Sequence, residues 1–255
     1  MYTQMSRAVA IVNQKGGVAK TTTAWALGAG LRNKGYRVLH IDLDAQGNLT
    51  HTLGGNSQGL NIYHLLISGE DPAKAIQHTP NGDLIPYSPD LTGADTVIVG
   101  AGRHSRLKRV IAEIQPNYDY VIVDTPPSLG SLLINAVYAV SEALVPLQAD
   151  LYSLQGVRQL YATLEGVKFH TGAEISIIGL LLTRYSPRTV LSRELADSLR
   201  ETAKEYGTKV FKTAIRECIA IKEAQVRQQD IFSYAPRSNA SRDYKAFIEE
   251  YLHGR

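Results

Sequence analysis

Short apolar segments alternate with amphipathic stretches along most of the chain. Segments with few polar interruptions predict strands buried on both faces: Ala8–Val12, Arg37–Leu43, Tyr120–Asp124, Ala143–Leu147, Ile175–Leu182 and Lys209–Ile215. Apolar residues at helical spacing predict helices: Thr21–Lys34, Ser105–Ile114, Ser131–Val140, Ser153–His170, Arg193–Tyr206 and Ser241–Leu252. A weaker strand, Leu84–Pro86, lies beside prolines and is expected at an edge. This alternation predicts an α/β fold with a mostly parallel, twisted sheet flanked by helices on both faces.

Composition narrows the class of protein. The chain has 255 residues, of which 44% are hydrophobic and 20% charged, a balance that is ordinary for a globular protein. Cys218 is the only cysteine, so the sequence excludes an internal disulfide, a CxxC redox pair and a cysteine-rich iron–sulfur site. A reducing, cytoplasmic setting is therefore expected.

No apolar run has the length of a membrane span. Ile177–Leu182, among the longest, is far below the roughly 18 to 20 residues that a span requires. The first residues lack the apolar core of an export signal. Because the first predicted strand begins at Ala8, we expect no N-terminal helix-turn-helix domain. The irregular segments Gly54–Gly59 and Thr92–Gly102 are typical of loops rather than linkers, so residues 1–255 are expected to form one domain.

The segment after the first strand predicts a phosphate-binding loop. It reads Lys15-Gly16-Gly17-Val18-Ala19-Lys20-Thr21-Thr22 and leads directly into a predicted helix. Glycines let backbone N–H groups approach phosphate oxygens, and the N-terminus of the helix favours the same anion. Lys20 would reach the β- and γ-phosphates, and the Thr21 hydroxyl would bind Mg²⁺. The segment departs from the standard motif because Gln14 and Ala19 stand where glycines are expected.

Aspartates at the ends of two predicted strands extend the candidate site. Asp42 and Asp44 are two residues apart, so they share one face at the end of the second strand. Asp124 ends the apolar strand Tyr120–Asp124, which is a Walker-B pattern, and would hold Mg²⁺ directly or through water. Thr125–Pro127 would then sense the γ-phosphate. Each pattern is common alone, but their combination predicts a nucleotide-binding site.

These motifs resemble those of the ParA/Soj partition ATPases, whose phosphate loop carries an additional lysine. The matching segments are KGGVAKTT, DLDAQGN and VIVDTPPS, and the similarity runs from about Ala8 to Leu252. The resemblance implies a Mg²⁺-dependent ATPase, slow by itself, that forms a homodimer around ATP. It implies that Lys15 reaches the partner's phosphates while Lys20 acts in its own subunit. It also implies that Asp44 positions the attacking water near the metal and that Asp124 is the Walker-B aspartate.

The same resemblance implies a role in DNA segregation. An ATP-bound dimer would bind double-stranded DNA without sequence specificity, in the cytoplasm and on the nucleoid. A centromere-binding ParB-like partner would stimulate hydrolysis and release. The formal net charge of +3 permits such binding, and the positive excess lies after residue 183. The candidate DNA-binding residues are Arg184, Arg188, Arg216, Lys222, Arg227 and Arg242.

The segment Phe211–Ile219 corresponds to the part of the family that commonly helps to form the adenine pocket. By resemblance, Ile215 and Arg216 are expected to contact the nucleotide. Arg216 stands where relatives commonly carry proline, and Cys218 stands where they carry asparagine.

Three other functions use the same scaffold. A MinD-type membrane-cycling ATPase needs a basic amphipathic helix at the C-terminus. Here one face of the last predicted helix is apolar: Tyr244, Phe247, Ile248, Tyr251 and Leu252. The other face carries Asp243, Glu249 and Glu250, so we expect this helix to pack on the body of the protein and no membrane to be bound. An ATPase that positions protein cargo and a small-molecule synthetase stay open.

Overall fold

The computed structural model of the protein describes residues 6–186 and 190–254. Within them, seven strands form one sheet: β1 (Arg7–Ile11), β2 (Val38–Asp42), β3 (Gln77–Thr79), β4 (Gly82–Ile85), β5 (Tyr120–Asp124), β6 (Glu142–Leu147) and β7 (Ser176–Leu182). The order across the sheet is β3-β4-β2-β5-β1-β6-β7. All neighbouring strands are parallel except β3, which pairs antiparallel with β4. The predicted α/β class with a mostly parallel sheet is confirmed.

The first helices connect the strands from β1 to β5: α1 (Lys20–Asn33), α2 (Asn48–Leu53), α3 (Ile62–Ile67), α4 (Pro72–Ala75), α5 (Ala94–Val97) and α6 (Arg106–Ile114). The remaining helices follow β5: α7 (Ser131–Ala139), α8 (Leu151–Thr171), α9 (Val190–Glu205), α10 (Ile219–Val226), α11 (Ile231–Tyr234) and α12 (Asn239–His253). Two 3₁₀ turns cover Pro89–Gly93 and Gln115–Asn117. Among the helices of the described ranges, none is long and apolar enough to pass through a lipid bilayer.

Side chains alternate across the sheet and build two cores. In β1, Val9 and Ile11 contribute to one core, and Ala8 and Ala10 to the other. The first core is closed by α1 and α12, which pack against each other, and the second by α3, α6, α7, α8 and α9. Burial on both faces explains why the strands are almost continuously apolar.

The parallel register brings the carboxyl ends of the central strands together. Asp124, the last residue of β5, lies opposite Ile11 of β1 on one side and Asp42 of β2 on the other. The chain segment that leaves β1 therefore meets both aspartates at one edge of the sheet. Ligands of open α/β sheets bind at this edge.

The prediction of a strand at Lys209–Ile215 is wrong. The segment does not form a strand of the sheet, and its pairing is limited to two isolated bridges among the described residues, Val210 with Leu180 of β7 and Ile215 with Thr183 just after β7. The backbone N–H groups of Lys212 and Thr213 donate instead to the carboxylate of Glu250 on α12, at 2.7 and 2.9 Å. The N–H of Phe211 donates to the Leu180 carbonyl, so in a continuous strand the N–H of Thr213 would donate to Leu182. Because Glu250 takes the Thr213 donor, Ile215 donates to Leu182 instead, and the ladder is interrupted.

The prediction for Leu84–Pro86 is wrong in its position. The strand is β4, and it is an inner strand between β2 and β3. The edge is occupied by β3, a three-residue strand without an apolar pattern that could have indicated it.

Candidate nucleotide-binding site

The loop between β1 and α1 has a backbone that favours glycine at two positions. Gly17 has φ +75°, and no atom lies within 4 Å of the place where a Cβ would stand. Ala19, the residue before α1, has φ 66° and ψ 34° and adopts the same left-handed conformation with a side chain. Two side chains that directly follow β6 and β7 hydrogen-bond to the backbone of the loop. Thr183 Oγ1 donates to the Val18 carbonyl at 3.1 Å, and Gln148 Nε2 donates to the Gly17 carbonyl at 3.2 Å.

Lys20 and Thr21 begin α1 and face the loop. Lys20 is buried, and its Nζ donates to the Lys15 carbonyl at 3.1 Å. Burial lowers the pKa of Lys20, while the charges of Asp124 and Asp44 oppose that shift. Thr21 Oγ1 donates to Asp124 Oδ2 at 2.6 Å. The predicted hydroxyl and the predicted Walker-B carboxylate are therefore in direct contact.

The carboxylate of Asp124 lies in an environment that disfavours its charged form. It is fully buried, and its Oδ1 has no hydrogen-bond partner among the residues that the structure describes. Burial and the neighbouring charge of Asp42 raise the pKa of Asp124 well above its usual range. A buried, unpaired carboxylate oxygen is costly unless a donor or a cation satisfies it.

The two neighbouring aspartates Asp42 and Asp44 differ in exposure: Asp42 is buried and Asp44 is accessible. Asp42 is buried, and its Oδ2 accepts from both the backbone N and the Oγ1 of Thr50, at 2.8 and 2.7 Å. Burial raises the pKa of Asp42 to about 6. Asp44 is half-buried and lines the cavity at this edge, where its Oδ1 accepts from the backbone N of Gln46 at 3.0 Å. Of these two carboxylates, Asp44 is the one that lines the cavity.

Lys15 is partly exposed and forms an ion pair with Asp150. Asp150 also caps α8, because its Oδ1 accepts from the backbone N–H groups of Tyr152 and Ser153, both at 3.1 Å. The side chain of Lys15 thus points to α8, whereas its backbone carbonyl accepts from Lys20. The sequence pattern did not indicate Asp150 as its partner.

A cavity of about 870 Å³ opens beside the loop. The predicted residues that line it are Gly16, Gly17, Ala19, Lys20, Thr21, Thr22, Asp44, Ile215 and Arg216. Val18, which belongs to the same loop, is buried. The far wall comes from the segment after β7 and from α10, including Glu217, Ile219 and Val226. This volume is in the range of small-ligand sites.

The candidate DNA-binding residues occupy different environments. Arg184 pairs with Glu217 at 2.7 Å, and Arg216 pairs with Asp243 at 2.6 Å. Arg184, Arg216 and Lys222 line the cavity. Arg227 and Arg242 are exposed outside it. Arg188 lies outside the described residues.

The donor atoms at the loop fit a magnesium ion. They are the hydroxyl of Thr21 and the carboxylates of Asp124 and Asp44, all oxygen ligands of the kind that Mg²⁺ prefers. Within the described ranges, no group of three or more His, Cys, Asp or Glu side chains could hold a metal by itself. An ion here would therefore need further oxygens from a phosphate ligand, and the unpaired Oδ1 of Asp124 is consistent with such an arrangement.

The fold and the loop together define a phosphate-loop protein, the class in which a β-strand, a glycine-containing loop and a helix bind nucleotide phosphates. A family model described as an AAA domain matches residues 6–177. The chain is 39% identical over 251 residues to the sporulation initiation inhibitor protein Soj of Bacillus subtilis, covering 96% of this chain and 98% of that protein. It is 40% identical over 247 residues to the chromosome-partitioning ATPase Soj of Thermus thermophilus, covering 96% and 95%. The chain therefore belongs to the ParA/Soj family of partition ATPases, as its motifs predicted.

Solved structures agree with this fold. A crystal structure of cobyrinic acid a,c-diamide synthase from Mycobacterium smegmatis with bound ADP and magnesium is 34% identical, with a TM-score of 0.83 over 98% of this chain and 97% of that chain. The septum site-determining protein MinD from Pyrococcus horikoshii, complexed with Mg-ADP, is 22% identical with a TM-score of 0.76, covering 98% and 97%. At that identity the second likeness concerns the fold alone.

Proposed function

We propose that this protein is a partition ATPase that dimerises on Mg²⁺·ATP, binds DNA without sequence specificity and releases it after hydrolysis. The observation that carries the proposal is the contact between Thr21 and Asp124 beside the buried Lys20, in a chain of this family. A ParB-like centromere-binding protein would stimulate hydrolysis, and the ATP-bound form would be associated with the nucleoid.

The phosphates would bind between the loop and the first turn of α1. Backbone N–H groups and the positive end of the helix favour an anion there. Lys20 Nζ now donates to the Lys15 carbonyl, so it would exchange this neutral acceptor for a phosphate oxygen. Thr21 and Asp124 would hold Mg²⁺, which neutralises phosphate charge when bound. Binding would thereby satisfy the buried carboxylate of Asp124.

Hydrolysis and dimerisation would use the two accessible charged residues. Asp44 lines the cavity and would orient or activate the attacking water. Lys15 would leave Asp150 and contact the phosphates of the partner subunit. Closure of the dimer would then depend on the γ-phosphate, which makes ATP the switch.

The membrane alternative is disfavoured by the packing of α12. The apolar side chains of Tyr244, Phe247, Ile248 and Tyr251 are buried in the core beside α1, as the sequence predicted, and are occupied by the protein itself. A helix that binds lipid needs its apolar face free.

A biosynthetic enzyme is a second candidate, because the Mycobacterium smegmatis structure with 34% identity bears the name of a synthase. Both candidates use the nucleotide site. They differ in DNA binding, which only the partition function requires.

Three single variants test the proposed division of labour. Lys20→Ala should impair ATP binding by the monomer. Lys15→Ala should leave monomer binding intact and weaken the ATP-bound dimer, because its proposed contact is made in the partner subunit. Asp44→Ala should accumulate a non-hydrolysing dimer. Equilibrium nucleotide binding and light scattering after size-exclusion chromatography measure these effects. Identical monomer–dimer behaviour of the wild type and Asp44→Ala with ATP would count against the scheme.

A further inference from the structure

A second cavity, of about 810 Å³, opens between residues 100–105, which precede α6, and the helices α7 and α8. Among the described residues, none lines both this cavity and the nucleotide cavity. Its volume is in the range of small-ligand sites. It could therefore hold a ligand while the phosphate-binding loop is occupied.

The polar side chains that line this cavity are cationic or neutral. They include Arg103, His104 and His170, and no Asp or Glu of the described ranges is among them. Arg103 is exposed and forms no ion pair with another described residue. Lys108 adds a second positive charge, because its Nζ lies 4.7 Å from the centroid of the Tyr138 ring in the cavity wall. The surrounding charge therefore favours an anion.

The ring of His104 carries a hydrogen-bond donor without a partner. Arginine can only donate, so the 2.9 Å bond between Arg103 Nε and His104 Nε2 makes Nε2 the acceptor. A neutral imidazole then carries its proton on Nδ1. Burial and the charge of Arg103 lower the pKa of His104, which favours this neutral form. The Nδ1 atom is buried and has no hydrogen-bond partner within the described part of the chain, so an oxygen of a ligand would satisfy it.

The loop that carries Arg103 and His104 is held in place by the body of the protein. Asn135 of α7 is fully buried, and its Nδ2 donates to the Arg103 carbonyl at 2.9 Å. Arg106 follows the loop at the start of α6, and its Nη1 donates to the Leu66 carbonyl of α3 at 2.7 Å. These bonds attach the loop to α7 and α3, so less conformational freedom is lost when a ligand contacts it.

The α8 wall of the cavity leaves open space at Gly166. A Cβ at this position would meet no atom within 4 Å. The carboxylate of the preceding residue, Glu165, is paired with Lys168 at 2.8 Å. His170, which also lines the cavity, lies about one helical turn beyond Gly166. The helix α8 therefore offers room for a ligand beside a second imidazole.

We propose that this cavity binds a phosphorylated small molecule, with Arg103, His104 and His170 as the donors to its phosphate oxygens. A phosphate group accepts hydrogen bonds from several directions, which matches donors supplied by both the loop and α8, and guanidinium groups pair well with it. The inference goes beyond the proposed function and does not depend on it, because the two cavities have separate walls.

Inorganic pyrophosphate is the probe, because it is the smallest compound with two phosphate groups. The phosphate-binding loop of the full-length protein is first saturated with Mg²⁺·ADP. Binding is then followed by calorimetry and by the imidazole NMR signals, which His104→Gln and His170→Gln assign. Pyrophosphate should shift both imidazole signals of the wild type. Arg103→Ala should weaken binding at least about tenfold. Arg109→Ala, at an exposed arginine of α6 that does not line the cavity, should leave the affinity within about twofold of wild type.

The open space at Gly166 provides a second matched pair. Gly166→Leu should fill part of the cavity and weaken pyrophosphate binding at least about tenfold. Gly156→Leu makes the same change at another position of α8 where no atom lies near the added carbon. Because Gly156 does not line the cavity, this variant should bind pyrophosphate like the wild type.

The absence of a shift in both imidazole signals, or equal affinity of the wild type and Arg103→Ala, would overturn the proposal. Equal or tighter binding of malonate, a dicarboxylate, would overturn the assignment to phosphate. Weaker DNA binding by Arg103→Ala with unchanged pyrophosphate affinity would overturn it too and assign this cluster to a DNA surface. If ADP did not bind, the proposed function would fail, while the His104 and His170 signals would still report on this cavity.

Discussion

At the scale of single residues, Ala19 carries backbone strain that a glycine would avoid. Its φ of 66° lies in the left-handed region, where a Cβ is disfavoured by about 1 kcal/mol or more. Ala19 is the residue directly before α1, so its left-handed conformation sets the direction in which Lys20 and Thr21 leave the loop.

Ala19→Gly should therefore raise the free energy of unfolding by about 0.5–1 kcal/mol and leave ATP affinity unchanged. Urea unfolding without nucleotide measures the effect. Ala246→Gly, the same change at an exposed position inside α12, should instead lower stability by about 1 kcal/mol. Destabilisation by both changes would show that Ala19 is not strained.

For Asp124, the proposed role in Mg²⁺ binding is expected to conflict with the stability of the nucleotide-free protein. It is buried, one of its oxygens is unpaired, and the charge of Asp42 adds to the raised pKa. Replacing one of two neighbouring buried carboxylates by an uncharged side chain removes both the cost of burying its charge and the repulsion between the two charges.

We expect Asp124→Asn to raise the free energy of unfolding of the nucleotide-free protein by about 1–3 kcal/mol and to abolish Mg²⁺-dependent ATP hydrolysis. Thermal unfolding and phosphate release measure the two properties. Asp44→Asn, at a half-buried position, should leave stability within about 0.5 kcal/mol of wild type. A large loss of stability in Asp124→Asn would contradict this interpretation of the site.

At the scale of elements, α1 lies close to β2 because of one glycine. A Cβ on Gly28 would stand 1.9 Å from Nε2 of His40, a fully buried side chain. We expect Gly28→Ala to lower stability by about 1–3 kcal/mol through overpacking. Gly156→Ala, in α8 with no atom near the added carbon, should raise it by about 0.5–1 kcal/mol. Chemical denaturation of both variants checks the contrast in sign.

His40 also makes stability depend on pH. Burial lowers its pKa to about 4, whereas an unfolded histidine titrates near 6.5. The unfolded chain therefore takes up a proton first, so the stability contributed by neutral His40 is lost as the pH falls from about 6.5 towards 4, by up to about 3 kcal/mol. Asp42, with its pKa raised to about 6, has the opposite sign.

The difference between the wild type and His40→Leu separates this contribution from that of Asp42. Unfolding free energies measured from pH 7 to pH 4 should show that the wild type loses stability relative to the variant. A difference that is constant over this range would contradict the assignment to His40.

The elements that the sequence predicted are the ones whose periodicity extends over enough residues. The central strands and the helices α1, α6, α7, α8, α9 and α12 follow from pattern alone. The short helices α2 and α11 have six and four residues, too few for a period to be visible. The start of α11 is set by its cap residue, Asp230. Lys209–Ile215 has a strand-like composition but loses its ladder to Glu250, a tertiary contact.

The candidate site likewise contains residues that the sequence predicts and residues that only the fold reveals. Lys20, Thr21 and Asp124 belong to contiguous motifs, and their contact could be predicted. Asp150 and Asp243 hold Lys15 and Arg216 from distant segments, so only the fold reveals them. The raised pKa of Asp124 depends on burial and on the charge of Asp42 in the neighbouring strand, neither of which the sequence reveals.

At the scale of the whole molecule, we propose that ATP couples dimerisation to DNA binding. The formal net charge is only +3, so the proposed DNA binding would require a local cluster of cations on the proposed dimer rather than overall charge. Arg227 and Arg242 are exposed outside the cavity, and we propose them as phosphate contacts.

The most direct test is the binding of a non-specific DNA duplex by the Asp44→Ala protein, with ATP and with ADP, across a salt series. We predict binding with ATP alone, with an affinity that falls steeply with salt by a log–log slope of roughly −0.9 for each phosphate contact. Replacing Arg227 and Arg242 by alanine should reduce that slope. An ATP-bound dimer that shows no affinity for DNA at any salt concentration would contradict the claim, and would leave an ATP switch that acts on another cargo.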